Sequence, residues 1–302
     1  MKFTTLTALM FTVFFSSFTF ALDIVTYNIR NFDKGDAAVA PAVGIPTNKE
    51  LLKATLKSLN ADLFGIEEVV NQTAFADMIN TALPEYAFAL SACGGTGNQK
   101  LGFLYKKSKL RLNSFKEDAR LSAGGQCNKG LRPAAIGNFT YLPTNMNFTA
   151  VTVHLKAGGA QPNADVRFRQ YGIISQILGE IRQKGENKIV VMGDFNTTDY
   201  ILRNQNYTRF IEFIDANQLI DFSSEINCSA YWWGETDDNI DAPSILDHVI
   251  VTQEFNSMFK GHTTQVKTHC EKVQCKAASP ADLGITYKEV SDHCPVQASL
   301  KE

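Results

Sequence analysis

Residues Lys188–Asp199 read KIVVMGDFNTTD. An apolar run, Ile189 to Met192, stops at Gly193, Asp194 and Asn196. A short continuous apolar run bounded by turn residues predicts a strand buried on both faces. The strand delivers an acid and an amide to its end. Alone, this ending is also what a simple turn looks like, because Gly, Asp and Asn all favour turns. Its meaning depends on how the other strands end.

Eight short apolar runs predict strands: 22–28, 62–68, 101–106, 134–142, 147–154, 188–194, 247–252 and 295–300. Leu52, Leu56 and Leu59 repeat at helical spacing after Thr47 and Glu50, which stand at capping-box distance. A second helix is predicted over 164–184, stopped by Gly185. Strands mixed with helices, some joined only by loops, predict a mixed sheet or two packed sheets with helices outside.

Four of these strands finish in a polar group: Asn28, Glu68, His154 and Asp194. Two start beside one, Asp247 and the pair Asp292-His293. If the last two strands run antiparallel to the other four, all these groups reach one rim. Each has a bland reading, as a turn residue, a surface acid or a histidine at the edge of the core. Like charges crowded on one rim repel unless a cation or proton separates them. The repeated placement therefore predicts a divalent metal site, and its oxygen-rich ligands suit Mg²⁺, Ca²⁺ or Mn²⁺ better than zinc.

The ordered set TYNIRNF (26–32), GIEEV (65–69), VTVHLK (151–156), MGDFN (192–196), LDHVIV (246–251) and SDHCPV (291–296) resembles the endonuclease/exonuclease/phosphatase superfamily, the metal-dependent phosphodiesterases related to deoxyribonuclease I. The resemblance implies an α/β fold, a four-layer α/β/β/α sandwich of two mixed sheets with its site on one rim. It implies Glu68 as the principal metal carboxylate, with Asn28 and Asp292 as further metal-side ligands. It implies that Asp194 and Asn196 orient the nucleophile and the scissile phosphate. His293 is then the general base or a phosphate-binding histidine with Asp247 behind it, and His154 a general acid or phosphate donor. Glu67 stands where the family often has Gln, and Val70 where deoxyribonuclease I has a minor-groove arginine. Gln99 falls near the place of an acidic partner for His154. Arg30, Arg132 and Lys156 are the expected phosphate contacts, and Tyr105 reads as a core tyrosine before a stacking one. The cofactor expected is Mg²⁺ or Mn²⁺, with room for a structural Ca²⁺.

Composition bounds the rest. The chain has 302 residues, 44% of them hydrophobic, and a formal net charge of −2, so overall charge does not announce a nucleic-acid binder. Lys2, the apolar run Leu6–Phe20 and a small-residue cut after Ala21 read as a signal peptide over 1–21, shorter than a membrane span. Residues 22–302 read as one domain. The product is expected to be secreted or periplasmic. All six cysteines lie after the leader, and an even count in an oxidising compartment predicts disulfides, with Cys93 and Cys127 paired because both sit in Gly-rich loops.

The function expected is a secreted metal-dependent nuclease, foremost a DNA endonuclease of low sequence specificity. It is expected to be a monomer without stable membrane association. Two alternatives stay open: a phospholipid phosphodiesterase or inositol-phosphate phosphatase, for which YWWG (231–234) is the only membrane-facing candidate, and a nuclease-type toxin subunit with partner chains.

Overall fold

A computed structural model describes residues 21–34, 46–123, 126–233 and 238–301. The expected signal peptide lies outside the described residues except for Ala21, which opens the first strand. The elements in chain order are β1 (Ala21–Phe32), α1 (Lys49–Leu59), β2 (Leu63–Val69), α2 (Gln72–Ala82), β3 (Tyr86–Leu90), β4 (Lys100–Lys106), β5 (Leu110–Asp118), β6 (Ala134–Tyr141), β7 (Met146–His154), α3 (Gln161–Gln183), β8 (Ile189–Asp194), α4 (Gln205–Ala216), β9 (Leu219–Asp221), β10 (Ala230–Trp232), β11 (Ala242–Ser244), β12 (Asp247–Thr252), β13 (Gly261–Val266) and β14 (Val296–Lys301). Short helical turns fill several of the connections.

Twelve strands form two six-stranded mixed sheets, ordered β13-β14-β1-β2-β4-β3 and β5-β6-β7-β8-β12-β9. β1 and β2 run parallel, as do β7 and β8, while β14 is antiparallel to β1 and β12 antiparallel to β8. The strands expected to run against the others do so. The C-terminal ends of β1, β2, β7 and β8 therefore share a rim with the beginning of β12 and the segment before β14. β10 and β11 make a separate two-stranded ribbon beside that rim.

Side-chain alternation along β1 shows the layering. Leu22 and Ile24 join the core between the sheets, with Phe103, Phe139, Ala150 and Met192. Val25, Tyr27 and Ile29 face the other way, into a second core closed by Leu52 and Leu56 of α1 and Phe75 and Met78 of α2. Helices α3 and α4 cover the second sheet through Ile174, Ile177 and Phe210. The result is the expected helix–sheet–sheet–helix sandwich, and alternation on its inner faces fixes which side chains meet between the sheets.

Two sequence expectations need correction. The cap of α1 is Asn48, whose side chain accepts from the Leu51 N–H. Thr47 instead accepts from the Asp33 N–H and so fixes the preceding loop, while Glu50 pairs with Lys53. Helix α3 begins at Gln161 rather than 164, because Pro162 suits a first turn whose N–H groups need no helical partner. All six cysteines pair, as Cys93–Cys127, Cys228–Cys275 and Cys270–Cys294. Among the described residues, no helix is long and apolar enough to cross a membrane.

Candidate active site

Asp194 is the meeting point of the rim. Gly193 lets β8 lie against β7: its φ is 132°, and a Cβ there would meet the Val153 carbonyl oxygen at 2.0 Å. After it, Asp194 Oδ1 accepts the Asn196 N–H at 2.8 Å, in a turn where Asn196 takes φ 49°. The other oxygen, Oδ2, accepts from Asn28 Nδ2 at 3.1 Å and faces His154 Nε2 at 3.3 Å and His293 Nε2 at 3.7 Å. Groups from β1, β7 and the segment before β14 thus converge on one carboxylate oxygen at the end of β8.

Glu68 reaches this point through an irregular backbone. Alternation along β2 turns Leu63 toward the second sheet, so Glu67 faces inward as well and Glu68 outward. The register of β1 on β2 shifts between Asn28 and Phe32, and Arg30, Asn31 and Glu68 all have positive φ, 40°, 48° and 65°. Such a conformation is costly for side chains other than glycine and persists only where neighbours enforce it. Here it brings the Glu68 carboxylate to the rim. Glu68 Oε1 accepts from Asn28 Nδ2 at 3.1 Å and lies 3.7 Å from His154 Nε2, while Oε2 accepts the Asn31 N–H at 2.7 Å. Asn28 presents its amide nitrogen to both acids, and its oxygen accepts the Arg30 N–H at 2.9 Å. It stands between two carboxylates, its amide nitrogen toward both.

His293 is braced from behind. Its Nδ1 lies 2.8 Å from Asp247 Oδ2, which also accepts from Ser229 Oγ at 2.7 Å. Asp247 and Asp194 are direct partners in the β12–β8 register. Ser291 accepts the His293 N–H at 3.1 Å and donates to the Asn28 carbonyl at 2.7 Å, tying the histidine's segment to β1.

Burial alone would push His293 down, but the carboxylates of Asp247 and Asp194 outweigh it and hold the imidazole well above its ordinary range. His154 goes the other way: burial, aided by the Arg132 charge, holds it well below. Burial pushes the Asp194 carboxyl up to about 7, against the pull of His293. Two histidines on one carboxylate are thus pushed in opposite directions.

The remaining expected residues are spread more widely. Arg132 is buried; it donates to the Leu155 carbonyl at 2.7 Å, and its Nε has no partner. Lys156 is half-buried, with Nζ 2.8 Å from the Ala157 carbonyl. Arg30 spends both terminal nitrogens on the carbonyls of Tyr287 and Lys288, which gives it the geometry of a clamp on the segment before Asp292. Asp292 is not in the close triple of Asp194, Asp247 and His293, and its Oδ1 is buried without a partner. Gln99 does not touch His154, whose Nδ1 has no partner; it donates to Asn31 at 3.0 Å and so steadies the loop that holds Glu68. Tyr105 packs edge-on against Phe139, in the core.

The donor set suits a hard divalent cation. Glu68 and Asp194 share Asn28 and His154 as neighbours, and Asp292 Oδ1 is buried with no partner. Carboxylates this close and this buried are matched by a cation of the Mg²⁺ type.

Sequence reasoning missed Ser229 and gave no role to Ser291 or Arg167. Arg167, fully buried on α3, donates to the carbonyls of Lys156 and Gly158 and to Thr198 Oγ. A signal existed, since position 167 continues the 170–174–177–181 stripe that α3 buries. For Ser229 we find no signal in the sequence.

Sandwich and rim together define a phosphoester hydrolase of the α/β/β/α class. The chain belongs to the endonuclease/exonuclease/phosphatase family, whose model matches residues 25–293. It is similar in fold to an endonuclease/exonuclease/phosphatase family protein of Bacteroides thetaiotaomicron, with TM-score 0.63 and 20% identity over 94% of this chain and 98% of that one. A mannosyl-6-phosphatase of the same organism gives TM-score 0.63 and 20% identity over 92% and 99%. D. rerio TDP2, in complex with a single-strand DNA product, gives 0.62 and 12% over 93% and 99%. No curated protein matches by sequence.

Proposed function

We propose that this protein is a secreted or periplasmic nuclease that hydrolyses phosphodiester bonds with Mg²⁺ or Mn²⁺, cutting DNA with little sequence preference. The observation that carries the reading is the convergence of Asn28, His154 and His293 on Asp194, with Asp247 behind His293. Glu68, Asp194 and Asp292 would hold the cation, which when bound supplies positive charge to the phosphate and acidity to bound water.

The protein's own residues do the rest. Asp247 fixes Nδ1 of His293 as the protonated nitrogen and leaves Nε2 facing the rim. Once vacant, Nε2 is a strong base for the proton of an attacking water, because the acid behind it stabilises the imidazolium. Asp194 and the Asn196 turn orient that water and a phosphate oxygen. Neutral His154 donates a hydrogen bond to a phosphate oxygen, and the leaving oxygen takes its proton from water. Arg132 and Lys156 supply phosphate-directed charge, which carries no base information and so fits low sequence preference.

The test is incubation of supercoiled plasmid and a single-stranded oligonucleotide with the disulfide-intact chain. Cleavage that needs Mg²⁺ or Mn²⁺, stops in EDTA and vanishes in His293→Ala supports the reading. Intact plasmid and oligonucleotide in every lane would overturn it.

A further inference from the structure

Beside Asn196 the rim opens into a cleft of about 480 Å³. One wall is the turn after β8, with Ile201 and Leu202. The other is the β10–β11 ribbon, with Trp232, Pro243 and Ser244. Both walls are fixed to the proposed site. The ribbon is bridged from Ala230 to His293, and the Tyr231 N–H donates to the Asp292 carbonyl at 3.0 Å. Arg167 joins the opposite turn, through Thr198, to the loop after β7. The cleft is therefore preformed, and it is lined mainly by apolar groups. Leu202 is 76% exposed and Trp232 43%, an arrangement that favours an occupant able to cover them.

Charge selects that occupant. No lysine or arginine lines the cleft and Asp199 is its one charged lining residue, while Asp238 and Asp241 stand just before the second ribbon strand. The phosphates of a duplex continuing past the ribbon would be repelled, as would the headgroup phosphates of a bilayer. An uncharged, flat, partly apolar group attached to the scissile phosphate meets neither penalty. The Trp232 ring offers a stacking face for it, and Ser244 and Asn196 offer polar partners. About 480 Å³ accommodates one nucleoside and is small for a two-chain lipid.

We propose that this cleft is a nucleoside subsite that takes one unstacked nucleobase and its sugar, so that the enzyme favours single-stranded or terminal linkages over continuous duplex. The proposal rests on the phosphodiesterase reading above. Its test compares three chromogenic diesters with Mn²⁺: methyl 4-nitrophenyl phosphate and the 4-nitrophenyl esters of thymidine 5′- and 3′-monophosphate. One thymidine ester should exceed the methyl ester in kcat/KM by about tenfold or more, the scale of one base stacked on an aromatic ring. Trp232→Ala and Leu202→Ala, both at exposed positions, should bring that ratio toward one, chiefly through KM. Equal kcat/KM for all three esters, or a ratio the variants leave unchanged, overturns the subsite and leaves the hydrolase standing. No hydrolysis of any ester by the wild type, beside a folded chain that binds Mn²⁺, removes the hydrolase and the subsite together. Trp232-dependent release of phosphocholine from sphingomyelin vesicles, without a thymidine advantage, would replace the nucleoside by a lipid.

Discussion

His293 draws its expected behaviour from the carboxylates around it. A base works only when deprotonated, and Asp247 and Asp194 hold this one above the ordinary histidine range. The rate should therefore rise with pH across a limb above about 6.5. Asp247→Asn should move that limb to lower pH, because the charge that raises it is gone, while His293→Ala should cost about 10²–10⁴ in kcat. A pH–rate profile of the three proteins checks both. Glu67 is a second case. Burial holds its carboxyl well above the usual range, while Thr26 and Thr152 donate to Oε1. The folded chain keeps a proton there that the unfolded chain gives up above about pH 4.5, so its contribution to stability shrinks as pH rises. Glu67→Gln, which keeps shape without charge, should raise Tm over wild type by a gap that widens from pH 5 to pH 8. A gap that narrows contradicts this. The polar residues of the rim were legible in the sequence because each adjoined an apolar run. Ser229 was not, since a serine that matters only through one hydrogen bond to Asp247 has no spacing to betray it.

At the scale of elements, the eight strands expected from the sequence are the eight interior strands of the two sheets. All four edge strands, β3, β5, β9 and β13, were missed. An interior strand buries both faces and reads as a continuous apolar run, whereas β13, Gly261–Val266, alternates exposed and half-buried residues. Two disulfides act at this scale too. Cys270–Cys294 anchors the residue after His293, and Cys228–Cys275 the residue before Ser229. Replacing both Cys270 and Cys294 by serine opens a 24-residue closure and should cost about 3 kcal/mol, with activity falling alongside. Urea denaturation beside an activity assay measures both, and full activity in the variant would show that the brace is dispensable. The same element carries His269, whose imidazole burial holds down to about 4. Between pH 6.5 and about 4 the unfolded chain takes a proton that the folded chain refuses. Stability present above pH 6.5 is therefore lost through that window, on the order of 3 kcal/mol, and buried His154 acts in the same direction. Urea midpoints at pH 7 and pH 4.5 test this, and His269→Gln should flatten part of the difference.

Across the whole molecule, net charge and site charge carry different messages. A balance of −2 gave no hint of a polyanion substrate, and the acids Glu68, Asp194, Asp247 and Asp292 gather at the rim. A cation is the element that reconciles buried carboxylates with an anionic substrate. Because it binds the folded chain alone, saturating Mn²⁺ should stabilise the protein, by about 2.7 kcal/mol at one hundred times its Kd, and EDTA should remove the gain. The central claim is that this rim is a cation-dependent phosphodiester hydrolase worked by His293. Its most direct test is the initial rate of bis(4-nitrophenyl) phosphate hydrolysis against Mn²⁺ concentration, for wild type, Glu68→Gln and His293→Ala. Wild type should show a saturable rise from zero, Glu68→Gln the same rise displaced to higher Mn²⁺, and His293→Ala a flat line near zero. Hydrolysis that persists in EDTA, or a His293→Ala curve that follows wild type, would contradict it.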